Sequence, residues 1–131
     1  MPDRLPRTAV LAMVLWVLCA TPSLAGQTGT RASDCSNAST TAAMRACENA
    51  RYQKAAQDLS AALTALAGQL DDVGRSKLRL AQDAWVRFRE ANADFQAATA
   101  RGGTLGPLLR ITTLADMTEA RTAELKKNLQ Q

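Results

Sequence analysis

Residues 78–95 read LRLAQDAWVRFREANADF, and no other stretch constrains the chain as strongly. Leu78 and Trp85 lie seven residues apart, as do Ala81, Phe88 and Phe95. At about 3.6 residues per turn these two columns are neighbours, which predicts a helix with one apolar stripe. The opposite face carries Arg79, Asp83, Arg87, Glu90 and Asp94. Both phenylalanines of the chain and one of its two tryptophans fall here. The stretch is therefore expected to be the keystone of a core.

Two further helical patterns flank it. Thr40 and Thr41 end a cluster of polar capping residues, and a helix is expected over residues 41–70. Tyr52, Leu59 and Leu66 form one column of that helix; Ala56, Leu63 and Leu70 form the next, with Met44 and Cys47 extending the stripe. Asp71, Asp72 and Gly74 supply turn and cap chemistry before a second helix over residues 75–100. Arg101-Gly102-Gly103-Thr104-Leu105-Gly106 is too rich in glycine for regular helix. Pro107 suits a first helical position, so a third helix is expected from 107 to about 128. Ile111, Thr118 and Leu125 make its column, beside Leu108, Leu114, Ala115 and Thr122. Nothing alternates with the period of a strand. Short connections favour antiparallel neighbours, so the fold class is all-α, an up-down-up bundle of three helices. Tyr52, Trp85, Phe88 and Phe95 are expected as the large aromatics of its core.

The first 25 residues read as a signal peptide. Arg4 and Arg7 precede an apolar run over residues 9–20, too short to span a bilayer comfortably. Ser23-Leu24-Ala25 places small residues at −3 and −1 of a cleavage site. Lipid attachment at Cys19 is the alternative, but bulky Leu18 precedes it. Cleavage after Ala25 leaves a polar leader over residues 26–34 and a helical domain over residues 35–129. The product is expected to be exported, to the periplasm or beyond, and free of the membrane once cleaved. Its net charge would be +3, because the removed segment carries two arginines and one aspartate. Charges interleave along the helices, whereas a nucleic-acid groove needs clustered cations with aromatics between them.

Export also bears on Cys35 and Cys47. An oxidising compartment makes a disulfide the natural expectation, tying the leader to the first turns of the first helix. The alternative is two thiols or a metal site, and the chain has no histidine to complete one. Lack of histidine likewise removes the commonest general base. Asp71-Asp72 is the one adjacent acid pair and sits where capping explains it. Gly102-Gly103 lacks the ending and the preceding strand of a phosphate loop. The residues therefore point to a binding protein rather than an enzyme, with no cofactor or metal.

Read in order, the motifs resemble the LprI-type lysozyme-inhibitor family. Ala81-Gln82, Trp85 and Arg89 are similar to its AQxxWxxxR core; Gly102-Gly103-Thr104 resembles its Gly-Gly-Ser-like loop. Leu114, Thr118, Arg121 and Leu125 follow its Leu-x-x-x-Thr-x-x-Arg-x-x-x-Leu helix, and Cys35 with Cys47 matches its N-terminal cysteine pair. A second family cysteine pair would fall at Ala93 and Thr113, and a Leu-Asn…Tyr motif reads here as Leu59-Ser60…Leu63. The resemblance implies a protein partner, lysozyme, whose cleft is occluded without catalysis. Arg101, Gly102, Gly103 and Thr104 then form the candidate binding loop, since Arg101 could pair with the two catalytic carboxylates of a lysozyme. The alternative is a cell-envelope interaction module without inhibitory activity. Gln82, Arg89, Thr118 and Arg121 either edge the seam between the second and third helices or recognise a partner.

Overall fold

The computed structural model describes residues 35–130; the expected signal peptide and leader lie outside the described residues. A single 3-10 turn, Cys35–Asn37, precedes three helices: α1 Thr41–Gln69, α2 Asp72–Thr99 and α3 Leu105–Asn128. Among the described residues there is no strand. Cys35 and Cys47 form a disulfide with Cα atoms 5.8 Å apart. It ties the 3-10 turn to the second turn of α1.

The starts of α1 and α2 have local causes. Thr40 sits in extended backbone, and its Oγ1 accepts from the Ala43 N–H at 3.1 Å. That satisfies one of the donors that a helix start leaves unpaired. Asp71 does the same for α2, where its Oδ1 accepts from the Gly74 N–H at 2.7 Å. Gly74 is thus inside the first helical turn, and α2 starts three residues earlier than the glycine suggested. Asp72 adds negative charge at the helix N-terminus and pairs with Arg75.

The second connection runs through three successive residues of positive φ: Arg101 (42°), Gly102 (99°) and Gly103 (79°). Helix α3 begins at Leu105, two residues before Pro107. Pro107 is its third residue, where an N–H would still lack an intrahelical acceptor, so the ring breaks nothing. Gly106 is buried because the start of α3 lies directly on the end of α2. A Cβ at Gly106 would stand 3.2 Å from the Ala97 carbonyl oxygen. Gly106→Val is expected to cost about 1–3 kcal/mol through overpacking, read from the midpoint of chemical denaturation.

Helix α3 is the shared element, packing along both α1 and α2, which scarcely touch each other. Leu59, Ala62 and Leu66 of α1 close on Leu125 of α3, which is 1 % exposed. Leu63, Leu70, Leu78, Trp85 and Leu129 pack against that cluster. The expected column is buried on α3 at Thr118 and Leu125, and on α1 at Leu59 and Leu66; but the column Ala56, Leu63 and Leu70 is only half-buried, because the inward line beside the leucines is taken by the small Ala55 and Ala62. Ala55, Ala62, Ala93 and Ala115 are all buried, and these small side chains let the helices approach closely.

On α2 the expected stripe is corrected. Leu78 and Trp85 face the bundle, but Ala81, Phe88 and Phe95 do not: the two rings are 61 % and 65 % exposed. The inward line is Leu78, Gln82, Trp85, Arg89, Ala93 and Gln96, displaced from the phenylalanine column by about 100°, one residue's rotation. The crossing explains it. Ala93 is wholly buried and Ala97 touches Gly106, so no space exists there for a ring. Arg89 takes the wider part of the seam, where its guanidinium finds partners on all three helices.

Candidate functional site

Arg89 is 8 % exposed and is the only charged residue buried to that degree among the described residues. Its guanidinium carbon lies 5.1 Å from the Trp85 ring centroid and 5.5 Å from that of Tyr52 on α1. Nη1 donates to Thr118 Oγ1 on α3 at 3.3 Å, and Nη2 donates to Glu90 Oε1 at 2.7 Å. The Thr118 hydroxyl in turn donates to the Leu114 carbonyl at 2.6 Å. Only Arg89 Nε is buried without a hydrogen-bond partner among the described residues. A buried charge needs this degree of pairing, because half-paired it costs several kcal/mol.

Trp85 is gripped a second time. The Arg121 guanidinium carbon lies 5.9 Å from the Trp85 ring centroid. Arg121 Nε donates to Gln82 Oε1 at 3.4 Å and Nη1 to Glu124 Oε1 at 2.8 Å. Gln82, Trp85, Arg89, Thr118 and Arg121, separate motif positions in the sequence, form one connected cluster between α2 and α3. Tyr52 of α1 is its sixth member. Each guanidinium–ring contact is worth roughly 0.5–2 kcal/mol.

The cluster continues along the seam through Glu90, whose second oxygen accepts from Arg110 Nη2 at 2.7 Å. Arg110 Nε also donates to Asp94 Oδ1 at 2.8 Å, and that bond, with Glu90, raises the Arg110 pKa. On the other side of α3, Arg51 donates to Glu119 twice, at 2.8 and 2.6 Å, to Asp116 at 2.5 Å and to Glu48 at 3.0 Å. The Glu119 bond is the main cause of its raised pKa. Arg51→Met leaves those three carboxylates together without their cation. The expected loss is about 1–2 kcal/mol, between a surface pair and a buried one, and smaller in high salt.

The candidate loop is elsewhere. Arg101, Gly102, Gly103 and Thr104 are all exposed. Thr104 lies beside Thr41, Ala42 and Arg45 at the start of α1. Arg45 and Arg110 line the adjacent hollow between α1 and α3, with Pro107 and Ile111. Twelve residues of mostly helical rise, about 18 Å, separate Arg101 from Arg89. The loop and the tryptophan cluster are therefore two surfaces, not one site.

Tyr52 and Arg51 escape a reading of the sequence as site residues. Tyr52 sits in a regular apolar column, and nothing local shows that the face it presents meets a cation. Arg51 has only Glu48 as a local signal, three residues back; its other acids are on α3. Among the described residues no three His, Cys, Asp or Glu side chains are placed to hold a metal ion, and no helix is long and apolar enough to cross a membrane.

The model of the family described as lysozyme inhibitor LprI matches residues 32–125. An uncharacterized protein of Rhizobium meliloti (strain 1021) is 31% identical over 134 residues, covering 92% of this chain and 94% of the relative. No solved structure matches significantly. The matched span takes in the disulfide, the tryptophan cluster and the glycine loop, and the chain belongs to the lysozyme inhibitor LprI family.

Proposed function

We propose that the protein is exported and inhibits a lysozyme by binding, with the Arg101–Thr104 loop entering the substrate cleft. Family membership supports the partner. The observation that carries the mode is the loop itself: three successive positive-φ residues join the end of α2 to α3, and the first of them, Arg101, is exposed. A cleft with two catalytic carboxylates is a fitting receptor for such a cation. The bundle is proposed as up-down-up. Pairing of Arg51 with Asp116, and of Leu59 and Leu66 with Leu125, supports α1 and α3 running in one sense. Pairing of Arg89 with Thr118 and of Gln82 with Arg121 supports α2 running in the other. Cleavage after Ala25 and a periplasmic or secreted location complete the reading. No step of it is catalytic.

The test is titration against a c-type lysozyme at two salt concentrations, following binding and cell-wall lysis together. Inhibition is expected, and Arg101→Glu should weaken it by about tenfold or more, since a like charge would then face the carboxylates. Absence of binding and of inhibition up to tens of micromolar would overturn the reading. A second reading is an envelope module that docks on an anionic polymer. The exposed cations at the loop and beside it, Arg101 and Arg45, favour it specifically. It predicts binding to an anionic glycan that falls steeply with salt, and no effect on lysis.

A further inference from the structure

We propose that the outer face of α2 is a self-association surface, through which two copies of this chain pair by antiparallel α2 helices. Ala81, Ala84, Phe88, Ala91, Phe95 and Ala98 are all exposed. They succeed one another at alternating steps of three and four residues, the spacing that keeps a seam turned toward one partner helix. The seam runs about 26 Å. Neither α1 nor α3 covers it, and exposed Leu80 widens it at one edge. A continuous apolar face of this kind on a small domain marks an interaction surface.

The occupant follows from the way the face complements itself. In a two-fold pair, residue i meets j while j meets i. An antiparallel axis between Phe88 and Ala91 sets Phe88 against Ala91 of the second copy, and Phe95 against its Ala84. Each ring then meets an alanine. A parallel pair would stack ring on ring and alanine on alanine, leaving alternate layers crowded and empty. The same antiparallel register brings Arg87 beside Asp94 of the second copy, twice by symmetry. Arg87 is exposed and has no ion pair among the described residues. Asp94 gives only Oδ1 to Arg110 and keeps its other oxygen at a 65 % exposed side chain. Sliding one copy by a heptad toward the α2 N-terminus would oppose Arg87 to Arg87. Size and charge therefore select one register of this chain against itself, a match that an unrelated partner would not require.

This inference does not depend on lysozyme binding. Sedimentation equilibrium of the purified protein, from low to hundreds of micromolar at physiological salt, should show mass rising from one copy to two. Phe88→Glu should weaken the dimer by about a hundredfold or more, since it buries a charge in the seam. Arg87→Asp should weaken it by about tenfold, and Arg87→Asp with Asp94→Arg should recover most of that loss. Circular dichroism checks that each variant keeps its helices; Phe88 and Arg87 are exposed, so the fold does not rest on them. A monomer at every concentration overturns the proposal, whether the face stays bare or is covered by residues 1–34. So does a dimer indifferent to Phe88→Glu, a charge exchange that recovers nothing, or a monomer in which Phe88→Glu weakens lysozyme binding instead.

Discussion

Trp85→Ala should lower the unfolding free energy by about 3 kcal/mol, the low end of the range of about 3–5 for a Trp to Ala change. The low end applies because Trp85 is half-buried, packed on the Leu59, Leu66 and Leu125 cluster with one edge toward solvent. What distinguishes this site is the state of its neighbours afterwards. Arg89 would give up one of its two rings while remaining in the seam, and Arg121 would give up its only one. The melting temperature of a domain this size should fall by about 12–24 °C, read by circular dichroism. Phe88→Ala on the same helix should change the stability by no more than about 0.5 kcal/mol in the monomer, because its ring is mostly in water. A larger cost for Phe88 than for Trp85 would mean that α2 is rotated from the orientation described.

Removing the disulfide, with Cys35→Ser and Cys47→Ser together, should cost a similar amount. The bridge spans a sequence separation of 12. For a loop of that size the chain-entropy model gives about 3 kcal/mol. The segment it holds, from Cys35 to Thr40, is exposed or half-buried throughout. The 3-10 turn Cys35–Asn37 has no buried residue, and within it the Ala38 N–H donates to the Cys35 carbonyl at 3.1 Å. The turn should therefore detach and α1 fray toward Arg51, where the ion cluster with Asp116 and Glu119 stops it. Hydrogen exchange should show protection lost before residue 51 and retained at Leu59. A chemical-denaturation shift below about 0.5 kcal/mol would show that the bridge does not constrain the unfolded chain.

Much of this is legible in the sequence, and the misses have identifiable causes. Helix existence follows from periodicity, and the column of α3 and the Leu59–Leu66 column of α1 follow from their leucines, whereas the alanines Ala55 and Ala62 carry no such signal. On α2 two apolar faces compete. Hydrophobicity favours the column with Phe88 and Phe95; packing favours Arg89 and Ala93, because the crossing at Gly106 admits only small side chains and the guanidinium finds aromatic and hydroxyl partners. No single-residue scale registers an arginine whose charge is met by Tyr52, Trp85, Thr118 and Glu90 at once. The early starts of α2 and α3 have a simpler origin. Glycine at position 74 and proline at 107 mark turns on average, but both tolerate the first helical turn, where the backbone donors are unpaired anyway. Gln82, Arg89, Thr118 and Arg121 meet between α2 and α3, and their contact with α1 through Tyr52 is visible only in three dimensions.

The seam also bears on the second cysteine pair that the family resemblance implies at Ala93 and Thr113. Ala93 and Thr113 lie at matching levels of α2 and α3, between the Arg89–Thr118 and Asp94–Arg110 contacts. Here α2 and α3 are joined instead by Arg89 with Thr118 and by Arg110 with Glu90 and Asp94. Ala93→Cys with Thr113→Cys is expected to close oxidatively and raise the stability by about 3 kcal/mol, measured by melting with and without reductant.

The central physical claim is that Arg89 and Trp85 act together to hold the three helices in register. A double-mutant cycle with Trp85→Leu and Arg89→Met measures it most directly. A coupling energy of about 1 kcal/mol or more between the two sites is predicted. Losses that add to within about 0.3 kcal/mol would contradict it.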